Sequence, residues 1–223
     1  MTGLASAGRP LRGSALLGRV ARGLLAVSVL GALPFVLLIR GGVLLYHWWG
    51  VGTWLSLLVA AATTISLLAL YAGAAGAWLG ARKRMRRRFA RGAMGVGAAY
   101  IVYALVFVAG ANVKSADVRA EYRTLHPLLR LASSAVILAD PESVITDAGR
   151  GGADYGAMGL PARERSLHYR QRDGWVHALD FRTTGRSRVR NLMVHVAFSA
   201  LGFRVLRHGG TGDHLHVSLP VAS

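Results

Sequence analysis

Residues 53–113 read TWLSLLVAAATTISLLALYAGAAGAWLGARKRMRRRFARGAMGVGAAYIVYALVFVAGANV. Two apolar runs, 53–81 and 92–113, flank seven cations: Arg82, Lys83, Arg84, Arg86, Arg87, Arg88 and Arg91. A helix that crosses a bilayer needs about 20 mostly apolar residues at a rise of about 1.5 Å each. Both runs are long enough. A third run, 23–39, precedes them. It is shorter and holds Pro34, and it reaches Trp49 if Arg40 snorkels and the helix accommodates Gly41 and Gly42. Composition points the same way. The 223-residue chain is 53% hydrophobic with a net charge of +17, yet residues 1–113 carry 12 basic side chains and no Asp or Glu. A half-chain of that kind is not a soluble globular domain, and its hydrophobicity excludes a disordered one. The absence of cysteine excludes a disulfide scaffold, a thiolate metal site and a cysteine nucleophile.

The cations set the expected orientation. Arg9, Arg12, Arg19 and Arg22 precede the first run, Arg40 alone follows it, the seven-cation segment separates runs two and three, and Lys114 alone follows run three. The positive-inside rule then places the N-terminus and residues 82–91 in the cytoplasm and everything from Lys114 outside. This orientation survives even if the first run does not cross. Tyr46, His47, Trp48, Trp49 and Trp54 form an expected aromatic belt at the outer interface. A basic run such as 82–91 also suits nucleic acid, but not between two spans, so no nucleic-acid partner is expected. No small-x-small site follows the first run, so a cleavable signal peptide is not expected. The organisation expected is a multi-pass region of the cell membrane over 1–113, with helices at about 23–39, 53–81 and 92–113, and an extracytoplasmic domain over 114–223.

Residues 114–223 contain all ten acidic residues and 15 basic ones, and they read as a small α+β domain. Residues 116–138 have helix character, with Pro127 marking a bend or a helix start. Residues 143–146 read as a strand and 150–161 as a Gly/Ala/Asp-rich loop. Segments 166–172 and 175–181 flank Asp173-Gly174, a strong hairpin signal. Residues 187–201 predict an amphipathic helix, with Val189, Leu192, Met193, Val196 and Ala200 at helical spacing and Gly202 as its terminator. Residues 203–206 and 215–219 read as short strands.

Three features suggest a metal site. His168 begins the hairpin, Asp180 ends it, and Asp213-His214-Leu215-His216 lies near the C-terminus. A catalytic zinc takes three nitrogen or oxygen ligands and leaves one position open. A nearby carboxylate, for which Asp213 is the candidate, then serves as general base. The plainer alternative is that these are hydrogen-bonded core or surface residues. Asp173 is expected to serve the turn only, and His126, His177, His195 and His208 to be structural or solvated.

The order of features resembles the zinc D-Ala-D-Ala metallopeptidases, whose fold is shared by the hedgehog signalling domain and by phage L-alanyl-D-glutamate endolysins. The residues that carry the resemblance are Ile145-Thr146-Asp147-Ala148-Gly149-Arg150, Ser166-Leu167-His168, Gly174-Trp175-Val176-His177-Ala178-Leu179-Asp180, Leu201-Gly202-Phe203 and Asp213-His214-Leu215-His216. It spans about residues 140–220. It implies a hedgehog-like antiparallel sheet domain, zinc (Zn2+) on His168, Asp180 and His216, and Asp213 as the base that passes the water's proton to the leaving amine. His214 would stabilise the tetrahedral intermediate, and Arg150 would polarise the scissile carbonyl or hold a substrate carboxylate. The implied substrate is a peptidoglycan stem peptide, cut as a carboxypeptidase or an endopeptidase would cut it. A non-catalytic module on the same fold, recognising wall fragments or a protein partner, is the alternative. The spacing departs from the family's: eleven residues separate His168 from Asp180, where six are usual, and the base is Asp rather than Glu. A two-residue turn at Asp173-Gly174 would put His168 and Asp180 on opposite faces. The joint site therefore predicts a bulge or a three-residue turn, 173–175, near Gly174.

Overall fold

The computed structural model describes residues 12–150, 156, 166–210 and 212–220. Most of the loop expected at 150–161 lies outside these residues, as does Arg9. The chain divides into two compact units, Met1–Pro34 and Phe35–Ser223. Helix α1 runs from Arg12 to Trp48 and contains Pro34. Within the first unit, Leu17, Leu24, Leu25 and Val27 of α1 are exposed. Among the described residues three helices are long and apolar enough to cross a membrane: α1 from Leu16 onward, α2 (Thr53–Trp78) and α3 (Lys83–Val106).

In the second unit α2 and α3 form a hairpin through Gly80, whose φ of +69° suits glycine. Gly97 lets them approach closely, since a Cβ there would meet Leu68 Cδ1 at 2.7 Å. Helix α3 departs from the expected 92–113 at both ends. It starts at Lys83, so the cationic run is its first turns rather than a loop; Arg, Lys and Met are good helix formers. It ends at Val106, because side chains from the next segment take over its last carbonyls. The Tyr122 hydroxyl donates to Ala104 O, Arg130 Nη1 to Leu105 O, and Arg123 Nε to Val106 O. Two of these donors are cations at a helix C-terminus, where the macrodipole favours them. A 3-10 turn, Gly110–Asn112, follows, and the Asn112 amide donates to the carbonyls of Pro141 and Ser143 at 2.7 and 2.9 Å.

The helical stretch expected over 116–138 is two helices. Helix α4 (Ala116–Glu121) is capped by Ser115, and α5 (Pro127–Ala139) has Pro127 in its first turn and His126 as its N-cap. Nine of the thirteen residues of α5 are buried, and Leu138 and Ala139 at its C-terminal end are exposed. It sits between the apolar helices and a four-stranded antiparallel sheet of order β1 (Ile145–Asp147), β2 (Ala178–Arg182), β4 (His214–Ser218), β3 (Arg204–His208). Helix α6 (Arg188–Leu201) packs Phe198 on Phe181, with ring centroids 5.3 Å apart. One buried cluster runs from Ile39, Ala60 and Ala104 through Leu128 to Val217. The α+β class read from the sequence is the class observed.

Three expectations are corrected. Segment 166–172 is not a strand: only Arg170 pairs with Val176, and the Gln171 side chain takes the carbonyls of Ser166 and Tyr169 at 3.1 and 2.8 Å in place of a ladder. Tyr46 is buried rather than part of the aromatic belt, whereas Trp48, Trp49 and Trp54 are exposed. Helix α6 turns Asn191, Val194, Phe198 and Leu201 inward and leaves the predicted stripe of Val189, Leu192, Met193 and Val196 outside.

Gly202 ends α6 with φ +100°, and a Cβ there would meet Val43 Cγ1 at 3.0 Å. Gly202→Ala is expected to destabilise by about 1–2 kcal/mol from left-handed strain alone, read as a lower thermal midpoint of the detergent-solubilised chain. Gly209→Ala, with open space around the new methyl, should leave the midpoint unchanged.

Candidate metal centre

Strand alternation builds the site. Leu179, Phe181, Leu215 and Val217 face the core, and Asp180, His214 and His216 share the other face. Asp180 lies directly opposite His216 in the β2–β4 ladder. His168 arrives from the preceding turn. There Gly174 N donates to Gln171 O at 2.9 Å and Gln171 N to Trp175 O at 2.8 Å, with Gly174 at φ +83°. This is a three-residue turn, 172–174, closed by a left-handed glycine. It sits one residue before the predicted 173–175, and His168 lies in a further turn, closed by Tyr169 N donating to Ser166 O at 3.1 Å and held by Arg150 N donating to His168 O at 2.9 Å.

The three ligand atoms converge. His168 Nε2 lies 3.2 Å from His216 Nδ1 and 3.4 Å from Asp180 Oδ1, and His216 Nδ1 lies 2.9 Å from Asp180 Oδ1. A tetrahedral ion with bonds of about 2.0–2.1 Å holds its ligand atoms about 3.3 Å apart, so the residues fit such an ion. The surrounding contacts fit it too. His168 Nδ1 donates to the Ala148 carbonyl at 2.6 Å, which leaves Nε2 to face the other two groups. A ligand histidine fixed through its second nitrogen is the usual support of a metal site. Arg150 donates through Nη2 to Asp180 Oδ2 at 3.1 Å and through Nε to Asp147 Oδ2 at 2.8 Å. It thereby turns the other Asp180 oxygen toward the histidines.

Burial opposes charge on Asp180, but hydrogen bonds from His168 and His216 outweigh it and hold its pKa well below the usual carboxylate range. Burial likewise disfavours the His168 cation, yet the hydrogen bond and charge of Asp180 raise its pKa. In the metal-free site the Asp180 carboxylate and the His168 imidazole thus each favour the charged form of the other.

The other sequence-predicted residues are placed as follows. His214 Nε2 lies 3.6 Å from Asp180 Oδ2, and its ring stacks on His208 at 5.0 Å. Asp213 is held by Arg207 Nε and Nη2 at 3.0 and 2.7 Å, and its pKa is lowered by that guanidinium. Arg150 touches Asp147 and Asp180, so it orients a ligand. Sequence reasoning gave no part to Asp147, to the Ala148 carbonyl or to His208. The only sequence signal for the first two was their place in the string that ends at Arg150.

A second group, His126, Asp173 and His177, also has the residue types and spacing to hold a metal ion. Hydrogen bonding separates the two groups. His126 Nδ1 accepts from Leu128 N–H at 3.2 Å as the cap of α5, so the ring proton sits on Nε2, which donates to Thr53 Oγ1 at 3.0 Å. Ligation through Nε2 would have to displace that proton or break the cap. Asp173 Oδ2 accepts from His177 Nε2 at 2.9 Å and from the Tyr46 hydroxyl at 3.0 Å, and Oδ1 accepts from Trp175 N–H. Asp173 therefore serves more than the turn: with His126 and His177 it clamps the turn to α1 and α2. Burial, aided by the charge of His177, lowers the His126 pKa to about 3, so this ring stays neutral.

Comparisons with protein families, curated proteins and solved structures found no match to this chain.

Two outcomes are expected. His168→Ala and His216→Ala should abolish stoichiometric zinc retention after dialysis, measured by elemental analysis, while His177→Ala retains it. Because His168 has a raised pKa, its pairing with Asp180 stabilises the metal-free fold below the unfolded value of 6.5 and is lost as pH rises through the folded one. A metal ion bound there would compete with the His168 proton, so calorimetric titration with zinc should show affinity rising with pH across this window, with proton release. A pH-independent affinity would remove the proton from the account.

Proposed function

We propose that the protein is a membrane-anchored zinc peptidase that hydrolyses peptidoglycan stem peptides. The observation that carries this reading is the separation of the His168, Asp180 and His216 ligand atoms by 2.9–3.4 Å, with the outer nitrogen of His168 fixed by a backbone carbonyl. Support comes also from the order of motifs that resembles the zinc D-Ala-D-Ala metallopeptidases, and with it a hedgehog-like sheet. The distribution of cations supports an orientation with the N-terminus and the α2–α3 corner in the cytoplasm and the sheet outside, where wall peptides are found.

His168, Asp180 and His216 would hold the ion, which when bound would supply Lewis acidity toward a water and the scissile carbonyl. Arg150 keeps the Asp180 carboxylate turned toward the two imidazoles. Asp213 accepts the proton of the attacking water and delivers it to the leaving amine. To do so its carboxylate leaves Arg207, which then stands free for a substrate carboxylate. His214, on the Asp180–His216 face, gives its Nδ1–H to the Gly212 carbonyl, so it would donate to the oxyanion of the tetrahedral intermediate only through Nε2 of the doubly protonated ring.

One observation favours a second reading. An Asp213 already ion-paired with Arg207 and lowered in pKa is a weak base, which suits a binding module on the same fold. Turnover separates the two. The full chain in detergent with zinc is expected to release D-alanine from a stem pentapeptide ending in D-Ala-D-Ala, or to cut cross-linked sacculi. Asp213→Asn should keep zinc and lose about 10²–10⁴-fold in kcat. Zinc bound with no product from either substrate would favour the binding module, and full activity in Asp213→Asn would remove Asp213 from the mechanism.

A further inference from the structure

Helix α6 is apolar on two faces. The inward one, Val194, Phe198 and Leu201 with Asn191, packs on the sheet and α5. The outward one carries Val189, Leu192, Met193 and Val196, which are 66, 61, 65 and 55% exposed. Their spacing of three and four residues makes a continuous stripe. Four large apolar side chains in one exposed row on a helix call for a cover. The fold provides none from this chain among the described residues.

We propose that this stripe lies in the lipid surface of the bilayer that α1, α2 and α3 cross, so that α6 is an in-plane interfacial helix. The inference rests on the reading that those three helices are membrane spans. Three observations select lipid over other occupants. The C-terminus of α6 ends against a helix long and apolar enough to span: Gly202 lies beside Arg40 and Val43 of α1, which holds α6 close to the apolar helices. Helix α6 contains no acidic residue, and Arg188 in its first turn and Arg204 just beyond its end are exposed cations placed to meet anionic headgroups, whereas Arg190 is paired with Glu142. Finally, the helix is apolar on both sides of its axis, as a helix is when one face meets protein and the other hydrocarbon.

The consequence for the metal centre is geometric. Phe198 covers the core face of the sheet, and Asp180, His214 and His216 occupy the opposite face. Seating α6 on the bilayer turns the histidine face away from the lipid and toward water.

The native chain has no cysteine, so single-cysteine nitroxide labels report position directly. The full chain carrying Leu192→Cys, Val102→Cys or Gly209→Cys is reconstituted into vesicles of phosphatidylethanolamine and phosphatidylglycerol. Each label is then scored for collision with oxygen, which concentrates in lipid, and with a water-soluble nickel chelate. The expected result is an oxygen-to-nickel ratio several-fold higher at Leu192 than at Gly209, and comparable to that at Val102 on the exposed side of α3. A nickel-favouring Leu192 beside an oxygen-favouring Val102 overturns the proposal while leaving the spans intact. A nickel-favouring Val102 overturns the membrane reading and the proposal with it. A Leu192 label shielded from both reagents and broadened by spin–spin coupling assigns the stripe to a second copy of the chain and overturns lipid docking.

Discussion

A carboxylate that is 2% exposed in the middle of an antiparallel sheet is the constraint on which the domain depends. Left alone, a buried charge of this kind costs several kcal/mol. Asp180 is compensated from four directions. His216 comes from the neighbouring strand, His214 from the same strand two residues earlier, His168 from the turn before β2, and Arg150 from the segment after β1. Each depends on register. The β2–β4 ladder must pair residue 180 with 216, and the β1–β2 ladder carries an irregularity between Ile145 and Asp147. A slip of one residue in either of them would bury the carboxylate without its partners.

The molecule contains the same trio of residue types twice and uses them differently. The far nitrogen of each ring decides. In His168 it donates to a carbonyl, which frees the near nitrogen for a cation or a proton. In His126 it accepts from the first turn of α5, which commits the near nitrogen to donating. The first group can exchange a proton for an ion, whereas the second joins elements. Asp173 belongs to the turn between the two ligands His168 and Asp180, and it is held by Tyr46 and, through its neighbours, by Thr53. Trp175 adds to that attachment, edge-on to Trp54 at 5.9 Å and beneath the Arg130 guanidinium at 5.1 Å. The segment that carries the candidate ligands His168 and Asp180 is thus fastened to the helices that precede the domain.

The coarse architecture was legible in the sequence because its signals are local. Runs of apolar residues, Ser187 before a helix, Gly202 after it and Pro127 at a helix start each act within a few positions. The convergence of His168, Asp180 and His216 was legible only as an ordered set of motifs. What escaped depends on tertiary context. The cations at 83–91 can be loop or helix on composition alone, and the α2–α3 packing decides for helix. The end of α3 depends on Tyr122, Arg123 and Arg130, which lie 16 to 24 residues beyond Val106. In α6 the sequence offers two apolar rows. Periodicity chooses the larger one for the core, yet the smaller wins because Phe198 finds Phe181 and Phe203, and Asn191 caps the Thr183 carbonyl.

That inversion in α6 and the clamp at Asp173 express one principle. The apolar helices supply part of the wall that a four-stranded sheet needs to bury its core face. Leu128 of α5 nests against Gly42 of α1, and Tyr122 and Arg130 spend their polar groups on the carbonyls of α3. A sheet this small, with one face committed to histidines and carboxylates, has only the other face on which to build a core. Sharing that core with the helices keeps the polar face open for chemistry, and it frees the outer row of α6 to face something other than protein.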